Sequence, residues 1–114
     1  MRTKLLFICS RNQWRSPTAQ ALFRHDQRYE ARSAGTSSVA RNRVNSGHIN
    51  WADQIFVMEP RHRQLLQQRF TNEVLGEPMV VLDIPDDYTF MDPDLVDLIR
   101  VRLSAHLEAN DGPQ

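Results

Sequence analysis

The stretch "LLFICSRNQWRSPTAQALFR", Leu5 to Arg24, changes character twice. From Lys4 to Cys9 it is almost continuously apolar, the pattern of a short strand buried on both faces of a parallel sheet. Polar residues follow at once. Pro17 then suits the first turn of a helix, where its missing N–H has no partner to lose, and Ala19, Ala21, Leu22 and Phe23 give that helix an apolar face. The unit is strand, loop, helix.

The rest of the chain repeats the alternation. Tyr29 to Ala34 predicts a second strand ended by Gly35, followed by the polar loop "TSSVARNRVNSG". Asn45 or Ser46 caps a short helix through Ala52, "QIFVM" is a third buried strand, and "EPRHRQLLQQRF" a helix with Leu65, Leu66 and Phe70 facing inward. "EPMVVLDI" is the fourth strand. Asp92-Pro93 opens a last helix with an N-cap and a proline at its first position, and Leu95, Leu98, Ile99, Leu103 and Leu107 form its buried stripe. The tail "ANDGPQ" is expected to fray. Strands alternating with helices predict an α/β fold: a single four-stranded parallel sheet flanked by helices in a three-layer sandwich. Residues 1–114 are expected to form one domain, a length suited to one core. Ligands bind such sheets beyond the carboxyl ends of the strands, where "CSRNQWRS" and "PDDYTFMD" both fall.

Fourteen basic residues balance fourteen acidic ones, so nucleic acid and anionic membrane are not expected partners. One cysteine cannot form an internal disulfide, and the early apolar run is too short for a signal-peptide core or a membrane span. A cytoplasmic location is expected. His25, His48, His62 and His106 lack the spacing of zinc ligands, so no metal and no cofactor are expected. His62 and Trp51 read as a solvated or packing residue and a core residue, and Arg41 to Arg43 as solvated loop.

A loop running from a buried strand into a helix turns successive backbone N–H groups into one concavity that favours an anion. A thiol at the start of that loop, with Arg15 nearby, is favoured as the thiolate and becomes a nucleophile. The arginine fork suits two oxygens of a tetrahedral oxyanion while the sulfur approaches the central atom. Ser16 can hydrogen-bond the thiolate as it leaves, and Asn12 tolerates the left-handed backbone that a tight cradle needs.

Cys9, five residues, then Arg15-Ser16 match the Cys-x5-Arg-Ser/Thr signature of cysteine-dependent phosphatases. With "RSPTAQALFR" following, and with "SAGT" at Ser33 to Thr36, "WADQIFVME" at Trp51 to Glu59 and "IPDDY" at Ile84 to Tyr88, the chain resembles the low-molecular-weight protein tyrosine phosphatase family over most of its length. The resemblance implies a hydrolase that passes through a phosphocysteine on Cys9, with Arg15 clamping the transition state and Asp86 as general acid and base. Ser10, Arg11, Asn12, Gln13, Trp14 and Ser16 would hold the phosphate, Tyr88 would line the substrate slot, and Asn12 and Ser33 would brace the loop. The implied partner is a phosphorylated protein or a small aryl phosphate; nothing sets the oligomeric state.

The chain also departs from that family. Arg11 stands where glycine is common, Trp14 where a second cysteine often sits, and Asp87 where the acid is usually followed by proline. Asp87 is a second source for the proton, with Asp86 preferred. The stretch between Ser33 and Asn45 is short, with Val39 near the place of an aromatic wall, so a more open site flanked by Trp14 and Tyr88 is expected. Two other functions fit the same loop: arsenate reduction with an external thiol, and a noncatalytic phosphate or phosphoprotein binding module.

Overall fold

The computed structural model describes residues 2–107, so the "ANDGPQ" tail lies outside the described residues. Four parallel strands, β1 (Thr3–Cys9), β2 (Tyr29–Gly35), β3 (Gln54–Val57) and β4 (Met79–Val81), form one sheet in the order β2-β1-β3-β4. The helices are α1 (Arg15–Ala21), α2 (Ser46–Trp51), α3 (Pro60–Arg69), α4 (Thr71–Val74) and α5 (Pro93–Ser104). The expected α/β sheet with helices on both faces is what the chain forms.

The apolar run of β1 follows from its central place. Leu5, Phe7 and Cys9 point to one face, with Ala19 of α1 and Leu95, Ile99 and Leu103 of α5. Leu6 and Ile8 point to the other, with Ile49 of α2 and Leu66 of α3. Both faces are dry, so period-two alternation is absent. Truncating Phe7 or Leu6 to alanine would cost about 3 to 5 kcal/mol at such sites.

The caps are those the residue types favour. Asn45 accepts from the His48 amide to start α2, and Asp92 accepts from the Asp94 amide ahead of Pro93 to start α5. Three expectations are corrected. The fourth strand is only Met79–Val81, because Leu82 and Ile84 stay buried while their amides bond the carbonyls of Val57 and Met58 outside a regular ladder. A one-turn helix, α4, follows α3 and is too short to show a period. Trp51 is half-buried, with the Arg32 guanidinium 4.3 Å from its ring centre.

β1 ends at Cys9 beside Gly35 of β2, and β3 delivers Glu59 to the same end. A side chain at Gly35 would meet the Ser10 carbonyl oxygen at 2.5 Å and the Asn12 nitrogen at 3.0 Å. Glycine lets the end of β2 lie directly against the loop after β1. No described helix is long and apolar enough to cross a membrane.

Candidate active site

The loop Ser10 to Trp14 is shaped from behind. The carbonyls of Cys9, Ser10 and Arg11 accept hydrogen bonds from the amides of Thr36 (3.0 Å), Ser37 (2.8 Å) and Arg41 (3.0 Å). In a planar trans peptide the N–H points opposite the carbonyl, so the amides of Ser10, Arg11 and Asn12 turn to the inside of the loop. That of Asn12 reaches the Cys9 sulfur at 3.2 Å. Asn12 itself has φ 57°, the left-handed conformation its type was expected to supply, whereas Arg11 needs no positive φ and fits where glycine is common.

Buried side chains complete the brace. Asn12 Nδ2 donates to Ser16 Oγ and to Ser33 Oγ, both at 2.9 Å, and Ser33 Oγ donates to Gln20 Oε1 at 2.5 Å. Ser16 Oγ lies 3.0 Å from the Cys9 sulfur. That oxygen already accepts from Asn12, so its own proton is left for the sulfur or for the Ala34 carbonyl 3.5 Å away. The sole cysteine is buried, held by an amide and a hydroxyl at the carboxyl end of the central strand.

Arg15, the first residue of α1, is 2 % exposed, so its charge needs partners. Nη1 donates to Glu59 Oε2 and to the Ile84 carbonyl at 2.8 Å. Nε lies 3.6 Å from Asp86 Oδ1, an ion pair longer than a hydrogen bond. Tying the guanidinium down at Nη1 orients its remaining N–H groups. Burial pushes the Glu59 carboxyl up, but hydrogen bonds from Arg61 and Arg15 outweigh it and hold the group at about 2. Glu59 is therefore a fixed counter-charge.

Asp86 arrives from the far end of the chain. After β4 the backbone turns through Asp83 in a left-handed conformation (φ 55°), aiming the Ile84 carbonyl at Arg15 and placing Asp86 over the loop. A cleft of about 300 Å³ is lined by Cys9, Ser10, Arg11, Gln13, Trp14, Arg15, Ser37, Arg61 and Asp86. The larger cavity of about 620 Å³ lies along α1 and β2 and holds neither Cys9 nor Arg15. The residues singled out for chemistry line the smaller one.

Of the residues singled out in the sequence, Cys9, Ser10, Arg11, Gln13, Trp14, Arg15 and Asp86 meet in this cleft, while Asn12, Ser16 and Ser33 brace it from within. Asp87 is exposed and does not line the cleft. Tyr88 is half-buried against the core and does not line it either; its partners are the inward apolar residues of the sheet face. An adjoining surface hollow shares Gln13 and Trp14 and adds Arg41 and the half-exposed Phe90, so the aromatic groups at the mouth are Trp14 and Phe90. Val39 is well exposed.

Three residues at the start of α3 had no expected role. Glu59 holds Arg15. Arg61 donates to Glu59 and, through Nη2, to Ser10 Oγ at 3.0 Å. His62 is fully buried rather than solvated, with Nε2 2.9 Å from Ser10 Oγ and Nδ1 3.1 Å from the Glu59 nitrogen. Burial first, and then the Arg15 charge, lower its pKa to about 4. The available signal was topological: residues directly after β3 emerge beside those after β1. Among the described residues no group of three His, Cys, Asp or Glu is placed to hold a metal ion.

Solved structures share this architecture. The tyrosine phosphatase Wzb from Escherichia coli K30, in complex with phosphate, superposes with a TM-score of 0.74 at 22 % identity, covering 98 % of this chain and 100 % of its own. The chain has the low-molecular-weight phosphatase fold. A protein tyrosine phosphatase from Entamoeba histolytica matches that fold at TM-score 0.71 and 20 % identity, with 98 % of each chain covered. The YwlE arginine phosphatase from Geobacillus stearothermophilus matches at TM-score 0.68 and 22 % identity over 96 % of this chain and 95 % of its own. The sequence matches no protein-family model and no curated protein.

Proposed function

We propose that the chain is a cysteine-dependent phosphomonoester hydrolase acting on phosphotyrosine or a small aryl phosphate. One observation carries the proposal: Cys9 and Arg15 of the first loop and Asp86 from the segment after β4 line one cleft, behind which the carbonyls of Cys9, Ser10 and Arg11 are bonded away. In this reaction the Cys9 thiolate attacks phosphorus and the ester P–O bond breaks. The Asp86 carboxyl gives its proton to the leaving oxygen, leaving a phosphocysteine and a carboxylate. That carboxylate then takes a proton from water as the water attacks phosphorus, the S–P bond breaks, and phosphate and thiolate are released. The loop amides and the Arg15 fork hold the oxygens on which charge accumulates. Ser16 steadies the sulfur as it leaves.

Trp14 at the mouth favours an aromatic leaving group. Phosphoarginine is the competing class, since the YwlE structures are of an arginine phosphatase. A phosphorylated protein as partner belongs to the same reading, and the lone cysteine suits a reducing cytoplasm. The test is hydrolysis of p-nitrophenyl phosphate, phosphotyrosine and phosphoarginine from pH 5 to 8, beside Cys9→Ser. Turnover of the aryl esters that disappears in Cys9→Ser is expected. Undiminished turnover in Cys9→Ser refutes the mechanism, and phosphate binding without turnover makes the loop a binding module instead.

A further inference from the structure

We propose that Ser10 is a dedicated hydrogen-bond donor to the bound phosphoryl group, and that His62 is the positioning residue that fixes it in that role; the inference rests on the phosphate-site reading above. It follows from counting protons. The Glu59 backbone N–H can only donate, so His62 Nδ1, 3.1 Å away, carries no proton. The ring proton is therefore on Nε2 and is donated to Ser10 Oγ at 2.9 Å. Arg61 Nη2, which also can only donate, reaches the same oxygen at 3.0 Å. A hydroxyl has two acceptor positions and one proton. Both acceptor positions of Ser10 are filled, so its proton points elsewhere, and it is bonded to no acceptor among the described residues. Ser10 lines the cleft with Cys9 and Arg15. An anion held there is the acceptor that the geometry leaves.

The buried imidazole suits this task. It donates without adding a further cation beside Arg15 and Arg61, and it is sealed from the cleft and cannot itself bind the anion. Arg15 and Arg61 disfavour its protonation while Glu59 favours it, and burial decides the balance, so the same tautomer persists above about pH 5. Protonation would place a second N–H against the Glu59 amide and break that contact.

The experiment is calorimetric titration with inorganic phosphate at pH 7 of the wild type, Ser10→Ala, Ser10→Thr, His62→Leu, His62→Gln and the pair Ser10→Ala/His62→Leu, with p-nitrophenyl phosphate kinetics alongside. Loss of one hydrogen bond to a charged group predicts phosphate binding about tenfold weaker in Ser10→Ala, with Ser10→Thr near wild type. His62→Leu should weaken binding about as much alone, yet add nothing in the Ser10→Ala background. A purely structural role would produce the same loss in both backgrounds. If His62→Leu does not fold, His62→Met, alone and with Ser10→Ala, carries the coupling test, while His62→Gln, whose amide keeps a donor toward Ser10, should bind phosphate near wild type. Phosphate affinity within twofold of wild type in Ser10→Ala overturns the proposal, as does equal loss on changing His62 with and without Ser10. Because binding is read separately from turnover, a chain that binds phosphate but hydrolyses nothing refutes the hydrolase reading and leaves this one standing.

Discussion

Lowering the pH from 7 to 4.5 should weaken the fold specifically through His62. Its imidazole has an ordinary pKa of 6.5 and is held at about 4 in the folded chain, by burial first and then by Arg15 and Arg61, with Glu59 acting in the opposite sense. Between those values the unfolded chain binds a proton that the folded chain refuses. Stability from this residue is thus complete above about pH 6.5 and is lost as pH falls toward 4. At about 1.36 kcal/mol per pH unit, the loss at pH 4.5 comes to about 2 to 3 kcal/mol. The carboxylate of Glu59, held at about 2 against an ordinary 4.5, begins to lose its contribution only below that range. Urea unfolding of wild type and His62→Gln at pH 7, 6, 5 and 4.5 isolates the histidine. The stability difference between the two should shrink by about 2 to 3 kcal/mol across the series. A difference that stays constant to within about 0.5 kcal/mol would show that burial does not hold the His62 imidazole neutral in the folded chain.

Gly35→Ala should destabilise the fold by about 1 to 3 kcal/mol and weaken phosphate binding, because the new methyl meets the backbone of Ser10 and Asn12; thermal unfolding and phosphate titration check both. Asp86→Asn should lower kcat for p-nitrophenyl phosphate by about a hundredfold with phosphate affinity kept, while Asp87→Asn leaves both near wild type. Equal losses in the two variants would remove Asp86 as the sole acid. Glu59→Gln should cost about 1 to 3 kcal/mol in urea unfolding, less than for a fully enclosed pair because Glu59 is partly exposed, and should lower kcat/KM as Arg15 loses its anchor.

What the sequence made legible was whatever one segment carries alone. The apolar run of β1, Pro17 in α1 and the Asp92-Pro93 cap each declare a local structure, and the spacing of Cys9, Arg15 and Ser16 declares the loop. Asp86 was reachable because β4 and β1 open toward the same sheet end. The end of β4 was overextended because inward-facing Leu82 and Ile84 continue the hydrophobic run after the ladder stops. Glu59, Arg61 and His62 were missed because "EPRHR" reads locally as a solvated charge cluster; their partners Arg15 and Ser10 lie more than forty positions earlier. Phe90 carries no local signal: its place beside Trp14 depends on how the segment before α5 folds back across α1, where the Met91 amide bonds Thr18 Oγ1 at 2.9 Å.

The three loop carbonyls tied to Thr36, Ser37 and Arg41 leave the cradle little freedom to relax once the ester is cleaved. A receptor already in its binding shape spends no ordering energy on any tetrahedral anion, and it cannot discriminate by changing form. On the proposed hydrolase reading, the free phosphate ion released by each turnover should therefore compete with the next ester for the same amides. Progress curves should bend as the released anion accumulates, well before substrate runs low. On that reading, the phosphate content of the surroundings would then limit the working rate alongside the supply of phosphorylated substrate.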